Sequence, residues 1–85
     1  MNLGITMITI KILGVGCAKC KTLEQRILAL KEKHQLDVRI EKVTQLNDIM
    51  FYGVMMTPGL VVNEKVRSFG KIPNDDEILK WINEA

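Results

Sequence analysis

The sequence predicts a single α/β domain of order β-α-β-α-β-β-α, with a four-stranded mixed sheet flanked by helices. Three observations carry this expectation. A β-branched alternation opens the patterned region, with Ile8, Ile10 and Ile12 on one face. A long helical repeat and then a second alternating segment follow it, and such a crossover makes the two strands parallel. Near the end, two short apolar runs around a polar turn read as a hairpin, followed by a capped helix.

Each element has its own signal. Met7 to Leu13 alternates with period two and is broken by Gly14-Val15-Gly16. From Cys17 to about His34 the period changes. Cys20, Leu23, Ile27, Leu30 and His34 recur at steps of three and four, one face of a helix, while Lys21, Glu24, Lys31 and Glu32 lie largely elsewhere. No Gly or Pro interrupts this run. Leu36 to Glu41 alternates again and is expected as a strand with one wet face. Thr44 is placed to cap a short helix from Gln45 to Tyr52, ended by Gly53. Thr57-Pro58-Gly59 is punctuation. Leu60–Val62 and Val66–Phe69 then flank Asn63-Glu64-Lys65 as a hairpin that Gly70 and Pro73 close. Asn74 caps the last helix, Asp75 to about Glu84, whose first turn holds Asp75, Asp76 and Glu77 where the helix dipole favours negative charge.

Composition narrows the function classes. The chain has 85 residues, room for one domain, with 47% hydrophobic and 26% charged residues. Residues 7–85 are read as that domain and residues 1–6 as an N-terminal extension, with Met7 as an alternative start. A net charge of +2, with Lys and Arg scattered, argues against nucleic acid. No apolar run approaches the roughly 18–20 residues of a membrane span, and the N-terminal segment lacks the pattern of a secretion signal. The expected location is cytoplasmic, with no membrane partner. The two cysteines, three residues apart, would close too small a loop to staple a fold, so reactivity or metal binding explains them better.

The chemistry of Cys17-Ala18-Lys19-Cys20 follows from position. A thiolate attacks disulfides and a thiol does not; a free cysteine has a pKa near ~8.5 and is mostly protonated at neutral pH. At a helix N-terminus, unpaired backbone N–H groups face the sulfur of Cys17, and Lys19 and Lys21 add positive charge. A fall of ~1.5 units corresponds to about 2 kcal/mol in favour of the thiolate. Cys20, one turn deeper on the buried face, is placed to resolve the mixed disulfide that Cys17 forms. Cys17 is therefore the candidate nucleophile, Cys20 the resolving thiol and Lys19 a candidate for tuning the Cys17 pKa.

These residues, with Thr57-Pro58 ahead of the third strand, resemble the thioredoxin superfamily, and most of all its minimal thioredoxin/glutaredoxin-like members in archaea and bacteria. The resemblance runs from Met7 to Trp81 in element order. It implies a thioredoxin-like fold with strand order 4-3-1-2 and an antiparallel third strand. It also implies that Pro58 is cis and faces the cysteines, that the Thr57 backbone pairs with an extended substrate, and that Gly70 keeps the groove open. Gly16 stands where larger members carry Trp. The first strand has no acidic proton acceptor, which leaves water to carry the proton from Cys20. A glutathione signature is absent, so protein disulfides are the expected substrates. No cofactor is expected, an unidentified reductase supplies electrons, and the chain is expected to be a monomer.

Two rival readings use the same cysteines. Copper-binding domains place M-x-C-x-x-C at a strand-to-helix turn and bind Cu(I) through soft thiolates. Here Val15 takes the Met position, and the chain is expected to end in a helix where those domains end in a strand. A redox-sensing binding protein without turnover is the other. The remaining candidates read as structural: His34 as a helix-end residue, Tyr52 and Trp81 as packing, Met50, Met55 and Met56 as core or loop filling with one of the last two beside the groove, and Asp75-Asp76-Glu77 as capping.

Overall fold

A computed structural model describes residues 8–16 and 18–85. The order is β1 (Ile8–Leu13), α1 (Ala18–Lys33), β2 (Val38–Val43), α2 (Leu46–Phe51), β3 (Gly59–Val62), β4 (Lys65–Phe69) and α3 (Asp75–Glu84). The sheet runs β2-β1-β3-β4, which is the expected 4-3-1-2 order. β1 pairs in parallel with β2, Ile8 opposite Val38 through Leu13 opposite Val43. It pairs antiparallel with β3, which pairs antiparallel with β4. The proposed extension at residues 1–6 lies outside the described residues.

The period-two alternation of β1 sends side chains to both faces of the sheet, and both are covered. Ile10 and Ile12 join Leu60, Val62 and Val38 in a core closed by Leu23, Ile27 and Leu30 of α1 and by Ile78 and Ile82 of α3. Burying one such side chain contributes roughly 1.5–3 kcal/mol. The odd-numbered face is covered by the short α2: Leu13 and Val61 pack with Ile49 and Val54. Lys11 shares this face, where α2 is too short to seal it. Its ammonium donates to the Tyr52 hydroxyl at 2.8 Å and to Glu64 at 2.7 Å, and the Tyr52 hydroxyl donates to Glu64 at 2.8 Å. Tyr52 is thus a hydrogen-bonding residue as well as a packing one.

Several element boundaries differ from the sequence expectation by one or two residues, and three of the differences have a clear local reason. The second strand starts at Val38, since Leu36 is spent ending α1. The Leu36 N–H donates to Lys31 O at 2.9 Å and the Gln35 N–H to Glu32 O at 3.4 Å, with Gln35 at φ 50°. This is a Schellman ending built without glycine. It leaves His34 exposed. Thr44 does not cap α2; Gln45 stands at that position and its side chain makes no capping bond. The hairpin turn holds only Asn63 and Glu64, at φ 50° and 67°, and Lys65 opens β4. Positive φ at both central residues matches the twist of a tight two-residue turn. The cap on α3 is as expected: Asn74 Oδ1 accepts from Glu77 N at 2.8 Å and Glu77 Oε1 from Asn74 N at 3.3 Å, a reciprocal capping box. Among the described residues no helix is long and apolar enough to cross a membrane.

Candidate functional site

The site forms where β1, α1 and the β3 approach converge. Cys20 lies in the first turn of α1 with only 6% of its surface exposed, on the stripe it shares with Leu23 and Ile27. Its side chain is seated against Gly14, the residue after β1. A Cβ built on Gly14 would overlap the Cys20 Sγ and would stand 3.8 Å from the Thr57 Cβ. Gly14 is itself fixed to the sheet by its N–H, which donates to Val43 O at 3.0 Å. The absent side chain is what lets the helix bring a sulfur against the strand end. Cys20 is disulfide-bonded. Cys17 lies outside the described residues, while Lys19 is exposed on α1.

The Thr57-Pro58 peptide bond is cis, as the resemblance implied, and Pro58 is fully buried. Its carbonyl accepts from the Gly70 N–H at 2.9 Å, tying the loop to the end of β4. Gly70 sits at φ 76°, a conformation glycine adopts without strain, and a Cβ there would press on the Met56 Cβ at 3.2 Å. Thr57 therefore stands near Gly14, against which Cys20 is seated, and the Pro58 carbonyl ties Gly70 to the same loop. Val15, Met55 and Met56 are 65%, 88% and 60% exposed. Val15 follows Gly14, and Met55 and Met56 precede Thr57, so exposed apolar side chains adjoin both the sulfur's seat and the proline loop in the chain.

Two features here were not read from the sequence. Gly14 registers in sequence only as a strand breaker, since its partner Cys20 meets it through the tertiary fold. The second is a cavity of about 110 Å³ lined by Cys20, Gly14, Gly16, Ile12, Lys21, Glu24, Lys42 and Thr44. Glu24 and Lys42 form an ion pair across it, Nζ to Oε2 3.5 Å. Among the described residues no group of three or more His, Cys, Asp or Glu is placed to hold a metal ion.

Away from the site, the electrostatics of the Lys11 cluster are strong. Hydrogen bonds to Glu64 and then Tyr52 hold the Lys11 ammonium well above the usual lysine pKa, and the bond from Lys11, then that from Tyr52, pull Glu64 below the usual carboxylate range.

A mixed sheet of this order, with a cis-proline loop beside a helix-borne cysteine, is a thioredoxin-like fold. The chain belongs to the thioredoxin-domain family, whose pattern matches residues 8–83. It is 31% identical over 77 residues to a thioredoxin of Methanothermobacter thermautotrophicus, covering 91% of this chain and all of that protein. It is 36% identical over 72 residues to a thioredoxin of Methanocaldococcus jannaschii, covering 85% of this chain and 83% of that one. In structure it resembles Chlamydomonas reinhardtii thioredoxin f2 with a TM-score of 0.65 at 18% identity, covering 92% of this chain and 78% of the other.

Proposed function

We propose that this protein is a thiol–disulfide oxidoreductase that reduces protein disulfides through Cys17 and Cys20. Cys17 attacks a substrate disulfide, one substrate sulfur leaves as a thiolate, and a mixed disulfide forms. Cys20 then attacks Cys17, the second substrate thiol leaves, and the Cys17–Cys20 disulfide remains. The substrate disulfide gains two electrons and the dithiol loses them; a separate cytoplasmic reductase restores it. Lys19 favours the Cys17 thiolate, and Thr57, Pro58 and Gly70 receive an extended substrate strand. The observation that carries the reading is the seating of a buried Cys20 against Gly14, beside the cis Thr57-Pro58 bond. The family relatives support the same class of chemistry. The exposed side chains of Val15, Met55 and Met56 suit polypeptide with apolar residues next to its disulfide.

The test is insulin-disulfide reduction with dithiothreitol as electron source. Cys17→Ser is expected to abolish the acceleration, and Cys20→Ser to accumulate mixed disulfides; wild-type turnover by Cys17→Ser refutes the assignment. The Cu(I) reading is weaker, because the described elements run β-α-β-α-β-β-α, whereas copper-binding domains of similar size run β-α-β-β-α-β.

A further inference from the structure

The resolving step needs a destination for the Cys20 proton. Cys20 is buried, and burial in general disfavours a thiolate unless its proton has somewhere to go. β1 offers no acid: its one ionisable residue is Lys11, which is engaged with Glu64 and Tyr52 on the face toward α2. The cavity beside Cys20 does offer one. Glu24 lies one helical turn beyond Cys20, on the same side of α1, and lines the same cavity. A space of about 110 Å³ admits more than one water, each of which occupies about 30 Å³ in the liquid. The charged groups lining it are Lys21 and Glu24 from α1 and Lys42 from β2, so Glu24 is its only carboxylate among the described residues. Lys42 holds that carboxylate at 3.5 Å from the strand side. An exposed pair at this distance adds little to stability, and Lys42 is 61% exposed, so stability is a poor account of the arrangement.

We propose that Glu24 takes up the Cys20 proton through water in this cavity, with Lys42 as the residue that positions it. The inference rests on the oxidoreductase reading above. In the resolving step the Cys20 S–H bond breaks and its proton passes through water to the Glu24 carboxylate. The Cys20 sulfur bonds to Cys17, and the Cys17–substrate sulfur bond breaks with its electron pair leaving on the substrate thiolate. When the disulfide is reduced again, Glu24 returns the proton to Cys20. General bases commonly accelerate such steps by about 10²–10⁴-fold. A relay through water, with the pair half open to solvent, is expected to give about tenfold or more.

Stopped-flow reaction of the reduced protein with 5,5′-dithiobis(2-nitrobenzoate) separates the two steps. The first thionitrobenzoate is released by the bimolecular attack of Cys17, and the second by the unimolecular attack of Cys20. Glu24→Gln is expected to slow the second phase about tenfold near neutral pH and leave the first within about twofold. The deficit should shrink as the pH is raised well above the ~8.5 of a free thiol, where hydroxide can take the proton in place of Glu24. Lys42→Gln, which releases Glu24, is expected to show a smaller deficit with the same pH signature. A second phase in Glu24→Gln equal to wild type, or slowed by one factor at every pH, overturns the relay. If the wild type itself shows no second phase, the oxidoreductase reading fails and takes the relay with it; a biphasic wild type with an unaffected Glu24→Gln removes the relay alone.

Discussion

The two ends of the β1–β3 ladder are built on opposite principles. At the hairpin end the polar groups are matched. The Thr9 N–H donates to Asn63 Oδ1 at 2.9 Å and the Asn63 N–H to Thr9 O at 2.8 Å, while Lys11, Tyr52 and Glu64 close a ring of three short hydrogen bonds. At the other end a sulfur is pressed against a glycine, a cavity opens behind it, and the Glu24–Lys42 pair spans 3.5 Å where Lys11–Glu64 spans 2.7 Å. Val15, Met55 and Met56, close in the chain to Gly14 and Thr57, stay exposed. One end spends its polar residues on holding the sheet and its turn in register. The other leaves apolar side chains exposed near a buried cysteine, which suits the transient partner of the proposed function.

This contrast makes Gly14→Ala the substitution with the largest expected effect. The added methyl overlaps the Cys20 Sγ and comes within 3.3 Å of the Cys20 Cβ, so α1 must shift or the sulfur must leave its seat. Overpacking of this kind costs about 1–3 kcal/mol. Disulfide reductase activity is expected to fall by at least about tenfold even at temperatures where the variant is folded, because small displacements of reacting atoms are costly. Urea unfolding and the insulin assay on the same preparation check both. A variant with wild-type activity would show that the Gly14 contact is incidental packing.

The legibility of the molecule in its sequence divides along similar lines. β1, α1, the hairpin and α3 were readable because their signals are local: alternation, a repeat of three and four, an Asn three residues before a Glu. The cis Pro58 site was reached through resemblance, since nothing in the dipeptide itself distinguishes cis from trans. Where a boundary was misplaced, the usual residue was missing. Gln35 takes the left-handed position that glycine normally marks, and α2 starts at a Gln that makes no capping bond. Gly14 and Glu24 were illegible for another reason. Their meaning depends on Cys20, Thr57 and Lys42, which the chain brings to them only by folding.

Asn63→Ala tests the hairpin end with a comparable thermodynamic cost and a different functional result. It removes the Oδ1 acceptor of the Thr9 N–H and leaves alanine at φ 50°, a region non-glycine residues other than Asn and Asp seldom occupy. A lost hydrogen bond contributes roughly 0.5–1.5 kcal/mol and the left-handed conformation roughly 1 more. The urea midpoint should fall, while the insulin-reduction rate per folded molecule stays within about twofold of wild type. Equal activity losses in Asn63→Ala and Gly14→Ala would erase the division between the two ends.

The smallest effect is expected from Glu64→Gln, and its diagnostic is the pH dependence. The Glu64 pKa is lowered in the folded protein by the hydrogen bonds from Lys11 and then Tyr52. Its contribution is therefore present above the unfolded carboxylate value, near ~4.3, and is lost as pH falls through the lower folded value. Lys11 is raised by the bonds to Glu64 and then Tyr52, so its contribution is complete below the unfolded value near ~10.4 and is lost only as pH rises through the higher folded one. Between those limits the wild type should exceed Glu64→Gln in Tm by a constant margin, which closes as the pH is taken below about 4. Thermal melts from about pH 3 to about pH 9 measure it, and added salt should narrow the plateau because the carboxylate is exposed. A margin that persists unchanged into acid would mean that the turn geometry at Glu64, with φ 67°, rather than its charge, stabilises this end.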